Sequence, residues 1–499
     1  MIGFDLSAYS ATLLTETGET AEGLRFDRRE EETVLYVNSP DAGALQVDLT
    51  WAFAAAPSAL VLGDAFERAY GDLGFLPLES NDRPMPWYFL IADGEDVFCL
   101  GVKTGANAFV SFRAVPGKVT ATVDLRNGAD PVYLGERTLE ACTFVSRLYH
   151  GKTPFDALCD FCRRLCPAPV LPDSPVYGGN DWYYAYGNNS PETVLASAKL
   201  VAELSAGIPT RPFMVVDEGW SVHRESGPWL PGEHFGDMAA LAQKIRALGV
   251  RPGLWIRPLK TEENAVPAEA LIERGGKREY LDPTHPAAQT LIAEDVRRVK
   301  SWGYDLLKFD FTTYDLFGNW GKDLADRITN EENWHFYDRA KTNAEIVLDL
   351  YRLIRKAAGD MLLIGCNTVS HLTAGICELN RVGDDTSGKD WARTKKMGIN
   401  ALAFRLAQNN AFYLVDADCV GMIPNAIPWA KNGAFLDLLS RSATALFVSC
   451  LSATEEEKRD LAAAFRRAQT GHGLRPLDWT VNPFPERWRS DGEETRYQW

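Results

Sequence analysis

The sequence predicts a mixed α/β chain in which an antiparallel β-sandwich precedes a (β/α)8 barrel of the TIM type. Three observations predict it. Residues 1–150 carry short segments of alternating polarity punctuated by turn residues, the pattern of a sandwich. From residue 176 onward, apolar runs of strand length alternate with amphipathic helical stretches, as parallel α/β structure requires. At 499 residues the chain exceeds one ordinary core, and a barrel with an accessory sandwich uses that length. The expected division is a sandwich at 1–150, a linker helix at 151–170, a barrel at 171–470 and a short terminal segment at 471–499.

In the first region the expected strands are 33–37, 44–51, 87–92, 97–102, 108–114, 119–124 and 143–149. The next stretch, FDALCDFCRRLC, reads as a helix ended by Pro167 and Pro169. Cys159, Cys162 and Cys166 superficially resemble part of an iron–sulfur run, but a fourth ligand is missing, and the same spacing puts all three on one core-facing helical side. No metal or cofactor is expected. Nine cysteines, an odd and scattered number, do not form a disulfide framework.

Barrel strands are expected at 176–180, 213–217, 251–256, 305–310, 362–366, 379–383, 411–416 and 445–450, with helices such as 193–204, 238–248 and 287–302 between them. Eight strands with intervening helices favour a barrel over an open sheet. A helix at 455–467 follows, and the Pro- and Trp-rich remainder is too short for a third domain.

The formal charge of −16 excludes an anionic nucleic-acid or membrane partner and suits a neutral small-molecule or oligosaccharide substrate. The apolar stretch at 51–63 is too short to span a bilayer, and the first ten residues lack the pattern of a signal peptide, so a cytoplasmic chain is expected. Homo-oligomerisation is left open.

The chemistry-bearing residues fall at the expected strand ends, where barrels build their sites. The run YDLLKFDF ends in Lys308 and Asp310, which share one strand face, so the lysine is expected to pair with the carboxylate and keep it ionised. A structural ion pair is the bland alternative. DEGW brings Asp217, Glu218 and Trp220; NDWYY brings Trp182; PGLWIRP brings Trp255 and Arg257. Carboxylates there accept hydrogen bonds from sugar hydroxyls, and tryptophan stacks on the apolar face of a pyranose. RVGDDT supplies Arg381 and Asp385, read alternatively as a surface turn with its own charge pair. Asp416 and Asp418 in YLVDADC are expected to support rather than react. Two separated carboxylates in different environments suggest glycoside hydrolysis.

The ordered set DEGW, PGLWIRP, LLKFDF, GCN and RVGDDTSGKDW resembles the α-galactosidases of glycoside hydrolase family 36 over about residues 175–450. The resemblance implies retaining hydrolysis of terminal α-galactosyl residues, with Asp310 as nucleophile and Asp385 as acid/base. Lys308, Asp217 and Arg381 would contact the sugar, and Cys366, Asn367 and Trp255 would shape the pocket. It also implies that a loop of the amino-terminal domain, here 66–72 through Trp87, reaches the site. Asp385 is expected to stay protonated by repulsion from carboxylates such as Asp384. A carboxyl separation of about 5–5.5 Å would support retention.

Three departures stand out. Glu218 occupies a position where the family usually has aspartate, and the longer side chain favours a related glycone such as a β-L-arabinopyranoside or an α-N-acetylgalactosaminide. Arg257 suggests an anionic or otherwise modified aglycone. The usual carboxyl-terminal β-domain is expected to be absent or reduced to 476–499. Two other readings remain: an aldolase using Lys308 as a Schiff-base nucleophile, and a sugar-binding protein without turnover.

Overall fold

The computed structural model describes residues 2–262, 264–470 and 473–499. Residues 1, 263, 471 and 472, within the expected sandwich, barrel and terminal segment, lie outside the described residues.

Two antiparallel sheets, of six and seven strands, occupy the amino-terminal part. Aromatic rings join them: Trp51 meets Phe144 at 5.6 Å and Phe89 meets Phe112 at 5.4 Å between centroids. The expected strands are present, and earlier ones join them, notably Gly3–Thr15 and Leu24–Arg29. Their side chains are mostly exposed or half-buried, which leaves little apolar alternation to read. The helix expected next is Pro154–Leu165, capped by Thr153, with Cys162 buried and Cys159 half-buried; every cysteine is a free thiol.

A nine-stranded parallel sheet follows. In chain order its strands are Tyr177–Asn180, Phe213–Val216, Arg251–Ile256, Leu306–Phe309, Leu362–Gly365, Leu379–Arg381, Leu414–Asp416, Cys419–Gly421 and Leu446–Ser449. Sequences such as FMVV and LLKF are buried along their whole length, as expected where both sheet faces are covered. The expectation of eight strands is corrected in one place. Residues 411–413 precede a shorter seventh strand, and beyond a bend at Ala417–Asp418 the chain forms another, Cys419–Gly421. The seventh strand pairs with the sixth and the eighth with the ninth, so the two outer strands of the sheet are consecutive in the chain. The sheet therefore curls through most of a circle. Asp418 takes φ of +73° at that bend, a left-handed conformation that aspartate tolerates better than most residues.

The helices start where the sequence supplies caps. Ser190, Thr342 and Thr454 each close a capping box, over Pro191–Leu204, Asn343–Ala358 and Glu455–Arg467. A small antiparallel sheet, Arg475–Pro476, Arg487–Ser490 and Glu493–Arg496, ends the chain. Trp479 ties it down, with ring contacts to Phe75, Phe155 and Phe404 at 5.0, 5.6 and 5.5 Å.

The antiparallel region is locked onto the parallel sheet near the carboxyl ends of its strands. Buried Arg405 donates to Asp64 at 2.8 Å and to the carbonyl of Ala65 at 2.9 Å. The backbone of Ala69 bonds to Val382 and Asp384, extending the sixth strand's end with a stretch of the amino-terminal loop.

Candidate active site

Asp310 leaves the fourth parallel strand at its carboxyl end and accepts three hydrogen bonds. Its Oδ1 receives the backbone N–H groups of Phe311 (2.7 Å) and Asn367 (3.0 Å), and its Oδ2 receives the indole N–H of Trp255 (3.1 Å). Those donors fix both oxygens. Phe311, a bulky residue at φ +62°, holds the turn in a strained left-handed conformation of the kind that collects at functional sites.

Lys308 does not pair with Asp310 as the shared strand face suggested. Its ammonium reaches across to the second strand and donates to Asp217 Oδ2 at 2.6 Å. Asp217 also accepts from Asn180 (2.7 Å) and from the backbone of Glu218 (3.0 Å), while its own N–H donates to Asp181. Burial opposes the lysine's charge, but Asp217 outweighs it and holds the group well above its ordinary value. Asp181 is also raised, to about 7, by burial and by the charge of Asp217, which in a carboxyl favours the neutral form. Glu218 is likewise raised to about 7, by burial first and then by Glu225 and Asp217.

The expectation that Asp385 stays protonated is reversed. Burial would raise its pKa, but Arg381 at 3.2 Å, Arg68 at 3.9 Å and Lys308 outweigh it and hold the carboxyl below its usual range. Asp384 does not act as the expected repulsive neighbour because its charge is met by Arg68 (3.1 Å) and Arg393 (2.7 Å). Arg381 spans Asp385 and buried Asp418, each at 3.2 Å, so Asp418 anchors the arginine. Thr386 and Tyr183 donate in turn to Asp418.

Trp182, Asp217, Glu218, Trp255, Lys308, Asp310 and Asp385 line one cavity of about 100 Å³. That is smaller than the roughly 300–1,000 Å³ of drug-sized ligand sites, so it suits a single small ring. Five other predicted residues stand behind it. Trp220 is buried and donates to the carbonyl of Trp255 at 2.8 Å, and Cys366 lies against Arg381 with its sulfur at 3.6 Å. Asn367 presents its N–H to Asp310, and Arg381 positions Asp385. Arg257 is committed to buried Asp315, with bonds of 2.6 and 3.0 Å, and supports the Phe311 ring at 4.0 Å. Paired in this way, it does not supply the free charge from which an anionic aglycone was expected.

The cavity also takes Arg68, Phe311, Trp320 and Asp384. Arg68 comes from the amino-terminal loop marked at 66–72, whereas Trp87 stacks on His371 at 4.7 Å, outside the lining. Buried Glu67 fastens that loop: it accepts from Tyr70 (2.8 Å), Gly321 N–H (2.6 Å), Arg68 (3.1 Å) and the Asn367 amide. Trp320 was missed. Its neighbours Asn319 and Gly321 mark only a loop, and nothing local aims that loop at the strand ends. Among the described residues no three His, Cys, Asp or Glu side chains are grouped to hold a metal ion.

Solved structures share this fold over nearly the whole chain. An α-galactosidase from Thermus thermophilus, in complex with p-nitrophenyl α-D-galactopyranoside, is 17% identical, covers 98% of this chain and 99% of its own, and superposes with a TM-score of 0.66. A variant of the family 36 α-galactosidase AgaA from Geobacillus stearothermophilus, in complex with 1-deoxygalactonojirimycin, is 13% identical over 96% of this chain and 79% of its own, with a TM-score of 0.63. The galactosidase domain of an α-galactosidase–sucrose kinase is 15% identical over 98% and 76%, with a TM-score of 0.60. At such identities the likeness concerns the fold. No protein-family model and no curated protein matches the sequence.

Proposed function

We propose that the chain is a retaining glycosidase that removes a terminal α-galactosyl residue, or a closely related glycone, from an oligosaccharide. The observation that carries this reading is the cavity itself: Asp310 with both oxygens held by three donors, in one hollow with Asp385, Lys308, Asp217 and three tryptophans. Its shape suits one pyranose ring bound through hydroxyls and one apolar face. On this reading the curled sheet is a (β/α)8 barrel over 171–470. The two facing sheets form the 1–150 sandwich, joined by the 151–170 helix, and 471–499 is a short appendage. Nine free thiols suit a reducing compartment such as the cytoplasm.

In the first step the Asp310 carboxylate attacks the anomeric carbon while Asp385 gives a proton to the departing oxygen. In the second, Asp385 takes a proton from water, which releases the sugar from Asp310. Because Arg381 and Arg68 favour the charged form of Asp385, donation draws on a minor protonated population, and turnover is favoured on the acid side of neutrality. Lys308, held as an ammonium by Asp217, is a poor Schiff-base nucleophile and a good donor to a sugar hydroxyl.

A panel of nitrophenyl glycosides tests the reading, with α-galactoside, α-N-acetylgalactosaminide and β-L-arabinopyranoside as its core. At least one should be hydrolysed by the wild type, with loss of about 10⁴-fold or more in Asp310→Ala. The first-formed anomer, followed by NMR, should keep the substrate's configuration. Unchanged turnover in Asp310→Ala would remove that residue from the mechanism, and an inverted product would remove the double displacement.

A further inference from the structure

Asp418 stands behind the cavity wall, at the bend between the seventh and eighth parallel strands, buried and outside the lining. Its Oδ2 receives the backbone N–H of Thr386 at 2.7 Å and the Tyr183 hydroxyl, with the Thr386 hydroxyl 2.9 Å away. Its Oδ1 faces Arg381 Nη1 at 3.2 Å. Tyr183 comes from NDWYY after the first strand and Thr386 from RVGDDT after the sixth, so two motifs close on a carboxylate that does not itself border the cavity.

The other arm of the same guanidinium serves the candidate acid. Arg381 Nη2 lies 3.2 Å from Asp385 Oδ1 and donates to the carbonyl of Gly383 at 3.3 Å. One buried cation is thus divided between two carboxylates, of which only Asp385 lines the cavity. Further charges reach Asp385 from each neighbouring element. Arg68 of the amino-terminal loop, at 3.9 Å, and Lys308 of the fourth strand add positive charge. Asp384 is met by Arg68 and Arg393, and Asp217 by Lys308. Asp310 and Glu218 share the cavity, Tyr183 and Tyr186 approach from the first strand's end, and Cys366 and Asp416 lie near Arg381. The cations prevail and favour the carboxylate form of Asp385, which cannot give a proton. Asp418 is the buried anion that offsets the nearest of them, through the guanidinium it shares.

We propose that Asp418 is a positioning residue for the acid/base: by holding one arm of Arg381 in a buried ion pair, it limits that arginine's pull on Asp385 and lets Asp385 carry the proton delivered to the leaving oxygen. The proposal rests on the glycosidase reading for the use of that proton, while its electrostatic claim concerns the resting protein. Asp418→Asn keeps the size and removes the charge, so Arg381 acts on Asp385 without a competitor. On a nitrophenyl glycoside that the wild type cleaves, the alkaline limb of the pH–kcat/KM profile reports the acid's proton in the free enzyme. In the variant that limb should move lower by about one pH unit, a loss of about tenfold above it. A merely structural fault would lower the rate at every pH and leave the limb in place.

A second readout needs no substrate. Infrared titration of the full chain minus its Asp385→Asn counterpart isolates the Asp385 carboxyl band, which should titrate about one unit lower in the Asp418→Asn background than in the wild type. Should Asp418→Asn fail to fold, Tyr183→Phe tests the opposite sign. With one donor removed, Asp418 draws harder on Arg381, and limb and band should both move upward by about 0.3 unit. A limb or band that stays in place, or moves against these signs, in a folded variant would overturn the proposal and leave the glycosidase reading standing. Infrared shifts of the expected sign in a chain inert on every glycoside would support the charge sharing and end the glycosidase reading instead.

Discussion

Glu218 offers a test in which one side chain reports on the electrostatics of the cavity. Burial, Glu225 and Asp217 raise its pKa to about 7, so in the folded protein it keeps a proton that the unfolded chain has already lost. Between about pH 4.5 and 7 the folded state therefore binds more protons than the unfolded state. By linkage, stability falls as pH rises through that window and levels off above it. Full desolvation would make the effect about 3 kcal/mol. The side chain is partly open to solvent, so we halve this to ~1.5 kcal/mol. Glu218→Gln keeps the size and removes the titration. In a chain of 499 residues, ~1.5 kcal/mol corresponds to ~1–2 °C in Tm. Thermal melts of wild type and variant at pH 4.5 and pH 8 read it directly: the variant should gain ~1–2 °C over wild type on going to the higher pH. Asp181 titrates in both proteins and drops out of the comparison. A difference in Tm that is the same at both pH values would refute the reasoning, because Glu218 would then carry the same charge folded and unfolded.

Three further outcomes follow from the same geometry. Arg68→Met removes a positive charge 3.9 Å from Asp385, so the acid should hold its proton to higher pH and that limb of the pH–kcat/KM profile should move upward; a limb that stays or moves downward contradicts the assignment. Asp64→Ala leaves Arg405 buried without its carboxylate, which should cost about 3–5 kcal/mol and lower Tm by several degrees in a thermal melt. Borohydride trapping in the presence of a carbonyl substrate should leave Lys308 unmodified in the mass spectrum; a stable adduct would favour the aldolase reading.

Much of the frame was legible because its signals are local. FMVV, RPGLWI and LLKF are apolar along their length, and only strands covered on both faces tolerate that. Gly3–Thr15 escaped notice for the converse reason, since a half-exposed strand near a sheet edge carries no such run. Cys419–Gly421 is too short for any periodicity to register. Within the cavity, Asp310 and Asp217 announced themselves as carboxylates at strand ends. Trp320 did not, and Arg68 came only with the loop that the family resemblance marked, because a basic and an aromatic residue in loops are ordinary until a distant element meets them.

By itself, then, the sequence determined the order of sheets and helices and which carboxylates stand at strand ends, because periodicity and the cost of burying charge act over a few residues. Only the tertiary structure decided the pairing among those charges. It gave Lys308 to Asp217 rather than to Asp310, gave Arg257 to Asp315, and set Arg381 and Arg68 beside Asp385. Electrostatic interaction depends on separation in space, and in a curled sheet residues ninety positions apart in sequence become neighbours while those two positions apart can face different partners.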